Sequence, residues 1–184
     1  EKIFSRRGYH DVTMAAIALA SGFSTGFIYQ FFEGKEHLYT TMISEKVDWM
    51  YQNIQHEVAQ VQDVREKISV LIESHLRFVQ ENKDLYRIIL RGQGEALSSM
   101  MLTIREKLIS EYLKHLSFTE NILLTGIENG FFRELPTRHM ATILLHMIRA
   151  ASVDWIMLPV DDPLVSRKDL ILDVYLYGVK KNDP

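Results

Sequence analysis

The 184-residue chain contains no cysteine, which excludes disulfide staples and thiolate metal sites alike. It has only 4 prolines and 9 glycines, too few for a linker-like or fibrous chain. No HExxH, no GxSxG around a serine and no P-loop occur, so the common signatures of zinc proteases, serine hydrolases and nucleotide hydrolases are missing. His139 and His146 lie seven apart on one expected helix face, but no carboxylate stands beside them, and neither a metal nor a cofactor is expected. The longest apolar stretch, residues 140–158, is interrupted by His146, Arg149 and Asp154, which argues against a membrane span. No leader-like stretch opens the chain, so a cytoplasmic protein is expected. It starts on Glu1 rather than Met, and a preceding segment that begins the first helix is expected. Neither charge dominates: 21 basic and 24 acidic residues leave a net charge of −3. That balance argues mildly against a general polyanion binder. Residues 1–47 hold five basic and five acidic side chains, so the −3 belongs to the remainder.

What is present is helical apolar spacing over a 47% hydrophobic chain, enough to bury a substantial core. No β-type alternation, repeat or low-complexity tract appears, and the fold class expected is all-α. The most informative stretch is residues 13–38. Ile17 and Ala18, then Ile28, Phe31 and Phe32, have the spacing of inward-facing positions on two short helices. Thr13 caps the first of these helices. Gly22 ends it in a left-handed turn, Phe23 fills the corner, and Ser24 caps the second. Two short helices joined by a three- to four-residue turn containing Gly describe a helix-turn-helix.

With Ile28 and Phe32 inward, the second helix exposes Thr25, Gly26, Phe27, Tyr29 and Gln30. Thr25 and Tyr29 can donate to phosphates, and Gly26 lets the backbone approach a partner closely. Gln30 can reach a base edge, adenine being its natural match. Phe27 has no polar group but can touch a thymine methyl. Lys35 opens the next helix and suits a phosphate as a point charge. The candidate DNA-binding set is therefore Thr13, Ser24, Thr25, Gly26, Phe27, Tyr29, Gln30 and Lys35.

Thr13, Ile17-Ala18, Ser21-Gly22-Phe23-Ser24, Gly26, Ile28-Tyr29, Phe32 and Lys35-Glu36-His37-Leu38 resemble the N-terminal domain of the tetracycline-repressor (TetR) family. The resemblance covers roughly the first fifth to quarter of the chain. It implies a dimeric, all-helical, ligand-responsive transcriptional regulator. The implied architecture is a three-helix DNA-binding domain over residues 1–46 and a helical ligand-binding and dimerisation domain over 47–184. Phe27 stands where the family usually has a small polar residue, and Phe31 where it often has His or Tyr. Both departures bear on which bases are read.

Further along, an amphipathic helix is expected over 35–56, positioned to link the DNA head to the body. Asp63 with Glu66 opens a helix over 64–81. A short helix follows over 84–90, stopped by Gly92-Gln93-Gly94, which lacks the strand and third glycine of a dinucleotide loop. Helices are then expected over 96–113 and, opened by a Ser117–Glu120 capping pair, over 117–130. Thr137 is expected to cap a helix reaching 158, where Pro159 stops it, and Ser166 with Asp169 to cap the last helix, ending near Gly178.

The helix from Arg138 carries more apolar positions than one core face needs, among them Ile143, Leu144, Met147, Ile148, Ala151, Trp155 and Ile156. Homodimerisation through the last two helices is therefore expected, placing two heads on a palindromic operator in double-stranded DNA. Trp49, His75, Phe78, Tyr86, Met100, Tyr112 and His146 are the candidate ligand-binding residues, Met and aromatics with a few polar tips suiting a hydrophobic small-molecule effector. Residues 86–91 and the stretch GIENGFFREL also resemble acyl-CoA-responsive regulators of fatty-acid degradation. A helical protein-interaction module, or a small-molecule binder without DNA-binding activity, is the competing expectation.

Overall fold

The computed structural model describes residues 1–92, 99–158 and 161–178, and among these the regular structure is entirely helical. The helices divide into two compact units, Glu1–Trp49 with Asn82–Ser110, and Met50–Glu81 with Glu111–Pro184.

The first unit begins with α1 (Lys2–Arg7), which ends where Gly8 adopts a φ of 79°. Its Phe4 is buried and meets the Tyr39 ring edge-on at 4.9 Å. Then come α2 (Met14–Ser21) and α3 (Thr25–Ile28), followed by the N-terminal half of α4 (Lys35–Ala59), whose Tyr39, Ile43 and Val47 face inward. After α5 (Val64–Glu81), α6 (Lys83–Gly92) returns to pack on α1. There the Ser5 hydroxyl donates to Asp84 Oδ1 at 2.7 Å. Lys46 holds the same region together, donating to Asn82 Oδ1 at 3.2 Å and pairing with Glu1 at 3.5 Å.

In the second unit, α5 carries a fully buried stripe of Ile68, Leu71, Ile72 and Leu76. Asp63 caps it, its carboxylate accepting from the Glu66 N–H at 2.9 Å. Against α5 lie α8 (Thr137–Met157), a 3₁₀ turn (Leu164–Arg167) and α9 (Lys168–Tyr177). By length and composition α8 resembles a membrane span, yet Leu144, Leu145 and Ile148 are buried against its neighbours within the unit.

Three local expectations are corrected. The segments expected as separate helices over 96–113 and 117–130 form one helix, α7 (Ser99–Glu128). No Gly or Pro lies between them, and Ser117 sits mid-helix, accepting from Arg138 at 3.3 Å. Glu120, expected to close a capping box, instead accepts from the Thr137 hydroxyl at 2.9 Å and from Arg138 at 3.3 Å. For the same reason Thr137 does not cap α8; Pro136 holds that position without a side-chain bond. Ser166 turns back to the Pro163 carbonyl inside the 3₁₀ turn, leaving α9 without a side-chain cap. Residues 93 and 94 of the expected glycine break, and Pro159, lie outside the described residues.

At Gly126 on α7 the neighbouring side chains leave no room for a Cβ. A Cβ there would run into the Phe132 ring and come within 2.9 Å of Val64 Cγ1. Gly126→Ala is expected to lower stability by about 1–3 kcal/mol, the usual range for an overpacked core, despite alanine's better helix propensity. Chemical denaturation of the two proteins side by side checks it, and equal midpoints would show that Phe132 moves aside freely.

Candidate nucleic-acid interface and effector cluster

The helix-turn-helix is built by local chemistry. Thr13 accepts a hydrogen bond from the Ala16 N–H at 3.2 Å, and Ser24 accepts one from the Phe27 N–H at 3.1 Å. Each cap satisfies an N–H that the first helical turn leaves orphaned. Between them Gly22 takes φ 74° and ψ 17°, a left-handed conformation that a Cβ disfavours. Ile17, Ala18 and Ile28 are buried and hold the pair together. After Ile28 the chain keeps winding, with the Phe32 N–H still bonded to the Ile28 carbonyl at 3.1 Å.

Outside this small core the side chains face solvent. Ser24, Gly26, Phe27, Tyr29 and Gln30 are exposed, Thr25 is half-buried, and Thr13 is exposed at the start of α2. Two aromatic placements differ from expectation. Phe23, expected to fill the corner, is 55% exposed, and Phe31, expected inward, is 62% exposed. Phe32 is half-buried. Ile17, Ala18 and Ile28 are enough to close a four-residue helix onto α2, so the additional rings have no core to enter. They pack on Phe27 instead, Phe23 stacked on it at 5.0 Å and Phe31 edge-on to it at 5.1 Å between ring centroids.

Lys35 also departs from a freely projecting charge. Its ammonium donates to the Tyr9 carbonyl at 2.8 Å and the His10 carbonyl at 3.4 Å, and lies 4.3 Å from the Tyr9 ring centroid. Two of its three donors therefore brace the loop before α2.

Of the expected effector residues, His75 and Phe78 are buried, Tyr86 and Tyr112 half-buried, and His146 exposed. Trp49 is 53% exposed and, with Tyr86, belongs to the first unit. The Met100 side chain lies outside those described. The second unit brings Tyr112 and His146 together, ring centroids 6.2 Å apart.

One deeply buried polar ring there is one that spacing did not single out, His115, 1% exposed on α7. The Tyr51 ring stacks on it at 4.5 Å and the His75 ring lies at 4.7 Å. Neither His115 nitrogen has a hydrogen-bond partner among the described residues. Burial pushes its pKa down to about 2, with His75 adding to the shift. His75 falls to about 4, again through burial, opposed by its bond to the Leu71 carbonyl at 2.9 Å. That bond places the His75 proton on Nδ1. Burial, with Tyr112 and Glu111 nearby, raises Tyr51 to about 12 against the pull of Arg149. All three rings are therefore neutral at pH 7. Of this cluster the sequence pointed to His75 and Tyr112 as candidate effector residues, but His115, at a common helical spacing from Glu111, gave no sign of its burial.

Comparison with known proteins places this geometry in a family. The profile for bacterial regulatory proteins of the tetR family matches residues 1–42, and the profile for the C-terminal region of YsiA-like proteins matches residues 43–177. The fatty acid metabolism regulator protein of Bacillus subtilis is 25% identical over 180 residues, covering 97% of this chain and 90% of that protein. Among solved structures, the fatty acid degradation regulator FadR from Bacillus halodurans superimposes with a TM-score of 0.82 at 24% identity, covering 97% of this chain and 95% of that one. FadR from Bacillus subtilis, solved in complex with stearoyl-CoA, gives 0.82 at 22% identity with the same coverage. The two profiles together span both units, and the chain belongs to the tetR family of bacterial transcriptional regulators.

Proposed function

We propose that the protein is a cytoplasmic repressor that binds a palindromic operator as a homodimer and leaves it when a hydrophobic effector, a long-chain acyl thioester, enters its helical body. The observation that carries the DNA half of this reading is the capped α2–α3 pair, which buries Ile28 and leaves Tyr29 and Gln30 in solvent. In this reading residues 1–46 bind DNA and 47–184 bind effector and partner. Thr13, Ser24, Thr25 and Tyr29 hold phosphates, Gly26 permits close approach, and Gln30 and Phe27 face base edges. Lys35 keeps one donor for a phosphate while its other two fix the loop.

The effector half is supported by the His115 cluster. Two buried nitrogens without partners among the described residues cost about 1–3 kcal/mol each, a penalty that a bound polar group removes. Tyr51, His75, Phe78, Tyr112 and His146, all in the second unit, are the residues we assign to effector binding. The solved complex of the Bacillus subtilis relative supplies the acyl-CoA class. An effector that fits better in a state with misaligned heads weakens operator binding by the same factor by which DNA weakens effector binding, typically about 5- to 150-fold.

Retention of genomic fragments by the purified protein, followed by challenge with stearoyl-CoA and with coenzyme A alone, tests both halves. Retained fragments released by the acyl form only are expected. Equal affinity for retained and scrambled DNA would defeat the DNA reading, and fragments indifferent to stearoyl-CoA would defeat the effector class. Tyr29→Ala is expected to weaken binding to all sequences by a similar factor while leaving the salt slope unchanged, since a neutral hydroxyl releases no counterion. Gln30→Ala is expected to relax preference at one base position, and titrations against a panel of single-base variants of the selected duplex separate the two effects.

A further inference from the structure

We propose that Phe23, Phe27 and Phe31 form an apolar reading edge that recognises the 5-methyl groups of a run of thymines in the major groove. The inference rests on the DNA-binding reading above and specifies the chemistry by which bases are read. Its basis is the contiguous series itself: three rings four residues apart, 55%, 40% and 62% exposed, the first pair stacked at 5.0 Å and the second edge-on at 5.1 Å between centroids.

The fold does not need these rings, since Ile17, Ala18 and Ile28 already close the helix pair. An exposed apolar patch of this kind marks an interaction site. The patch begins in the turn and runs along α3 past the capped Ser24, continuous with exposed Tyr29 and Gln30. It thus lies on the element that the family uses to meet DNA.

The chemistry of the rings then selects the feature they read. A phenyl group neither donates nor accepts a conventional hydrogen bond, and the thymine methyl is the only apolar group that base pairs present in the major groove. Base pairs rise by about 3.4 Å, so a series of three rings with centroids about 5 Å apart is long enough to reach more than one pair. The charge balance agrees. With five basic and five acidic residues over 1–47, the head gains little from counterion release, and apolar contacts supply affinity that salt does not screen.

The test uses the full chain. Duplexes are selected from a random library, and each thymine of the selected duplex is then replaced by deoxyuridine, which removes only the methyl. At two or more positions per half-site, binding is expected to weaken about fourfold per methyl, the transfer free energy of one such group. In Phe27→Ala and Phe31→Ala the corresponding deoxyuridine penalty is expected to vanish, while Phe27→Leu retains part of it. Both side chains are exposed, and circular dichroism melts confirm that the variants fold. Deoxyuridine without effect at every position overturns the proposal and leaves the DNA-binding reading intact. Penalties that persist in the alanine variants also overturn it, because the methyls would then act through duplex shape. Alanine variants that bind the selected duplex like the unmutated protein would assign the patch to another partner. Failure to select any duplex would sink both readings.

Discussion

Lowering the pH from 6.5 to 4 is expected to strip the protein of much of its stability, through two histidines that stay neutral while folded. An ordinary histidine titrates near 6.5; here His75 is depressed to about 4 and His115 to about 2. Above pH 6.5 neither the folded nor the unfolded chain carries these protons, and the pair adds no pH dependence. Below it the unfolded chain takes up both protons and the folded chain refuses them. Stability then falls by roughly 1 kcal/mol per histidine for each pH unit, and by twice that for the pair. Set against a typical domain stability of about 5–15 kcal/mol, two pH units remove a large share. Urea unfolding at half-unit steps from pH 7 to 4 measures the slope. His75→Phe and His115→Phe are each expected to reduce it by about half, phenylalanine preserving a ring against Tyr51. His115→Phe is also expected to stabilise the protein at pH 7, because it removes two polar atoms without partners. A slope unchanged in the double variant would assign acid sensitivity to the carboxylates instead.

Introducing charge on the outer faces of the last two helices is expected to separate the dimer and nearly abolish operator binding. Ile143 and Met157 on α8, and Leu170 and Tyr177 on α9, are exposed although both helices bury other apolar faces. Large apolar side chains clustered on adjacent helices are the material of an interface. Two half-sites lie about 34–36 Å apart, one turn of DNA, so a single head loses the benefit of its tethered twin. Tethering is worth about 10²- to 10⁴-fold, and Ile143→Glu with Leu170→Glu is expected to cost at least about 100-fold in operator affinity. Sedimentation should show a monomer with an unchanged helical spectrum. A variant that stays dimeric, or a monomer that binds operator undiminished, would place the interface elsewhere or make it unnecessary.

Residues close in the chain explain most of what was legible beforehand. Thr13, Gly22 and Ser24 act within three or four residues of themselves, through a cap, a left-handed turn and a second cap, and the structure reproduces each. Asp63 does likewise at α5. Caps failed at Ser117–Glu120 and Thr137, where a distant partner competed for the same side chain, and at Ser166, where the nearby Pro163 carbonyl took the hydroxyl. Glu120, three residues after Ser117, looked like a capping partner, but Thr137 and Arg138 approach it from α8 and the helix runs on through both positions.

Periodicity also has a limit at α3. It identifies Ile28 as buried and equally marks Phe31, but how many apolar side chains a four-residue helix can bury depends on the size of the core facing it. The all-helical class, the helix-turn-helix and its family follow from order along the chain, because caps, turns and apolar spacing are short-range. The contiguous exposed packing of Phe23, Phe27 and Phe31, the capture of Lys35 by two carbonyls, and the burial of His115 between Tyr51 and His75 belong to tertiary structure alone. Each depends on which surfaces distant segments cover, and no local pattern encodes that.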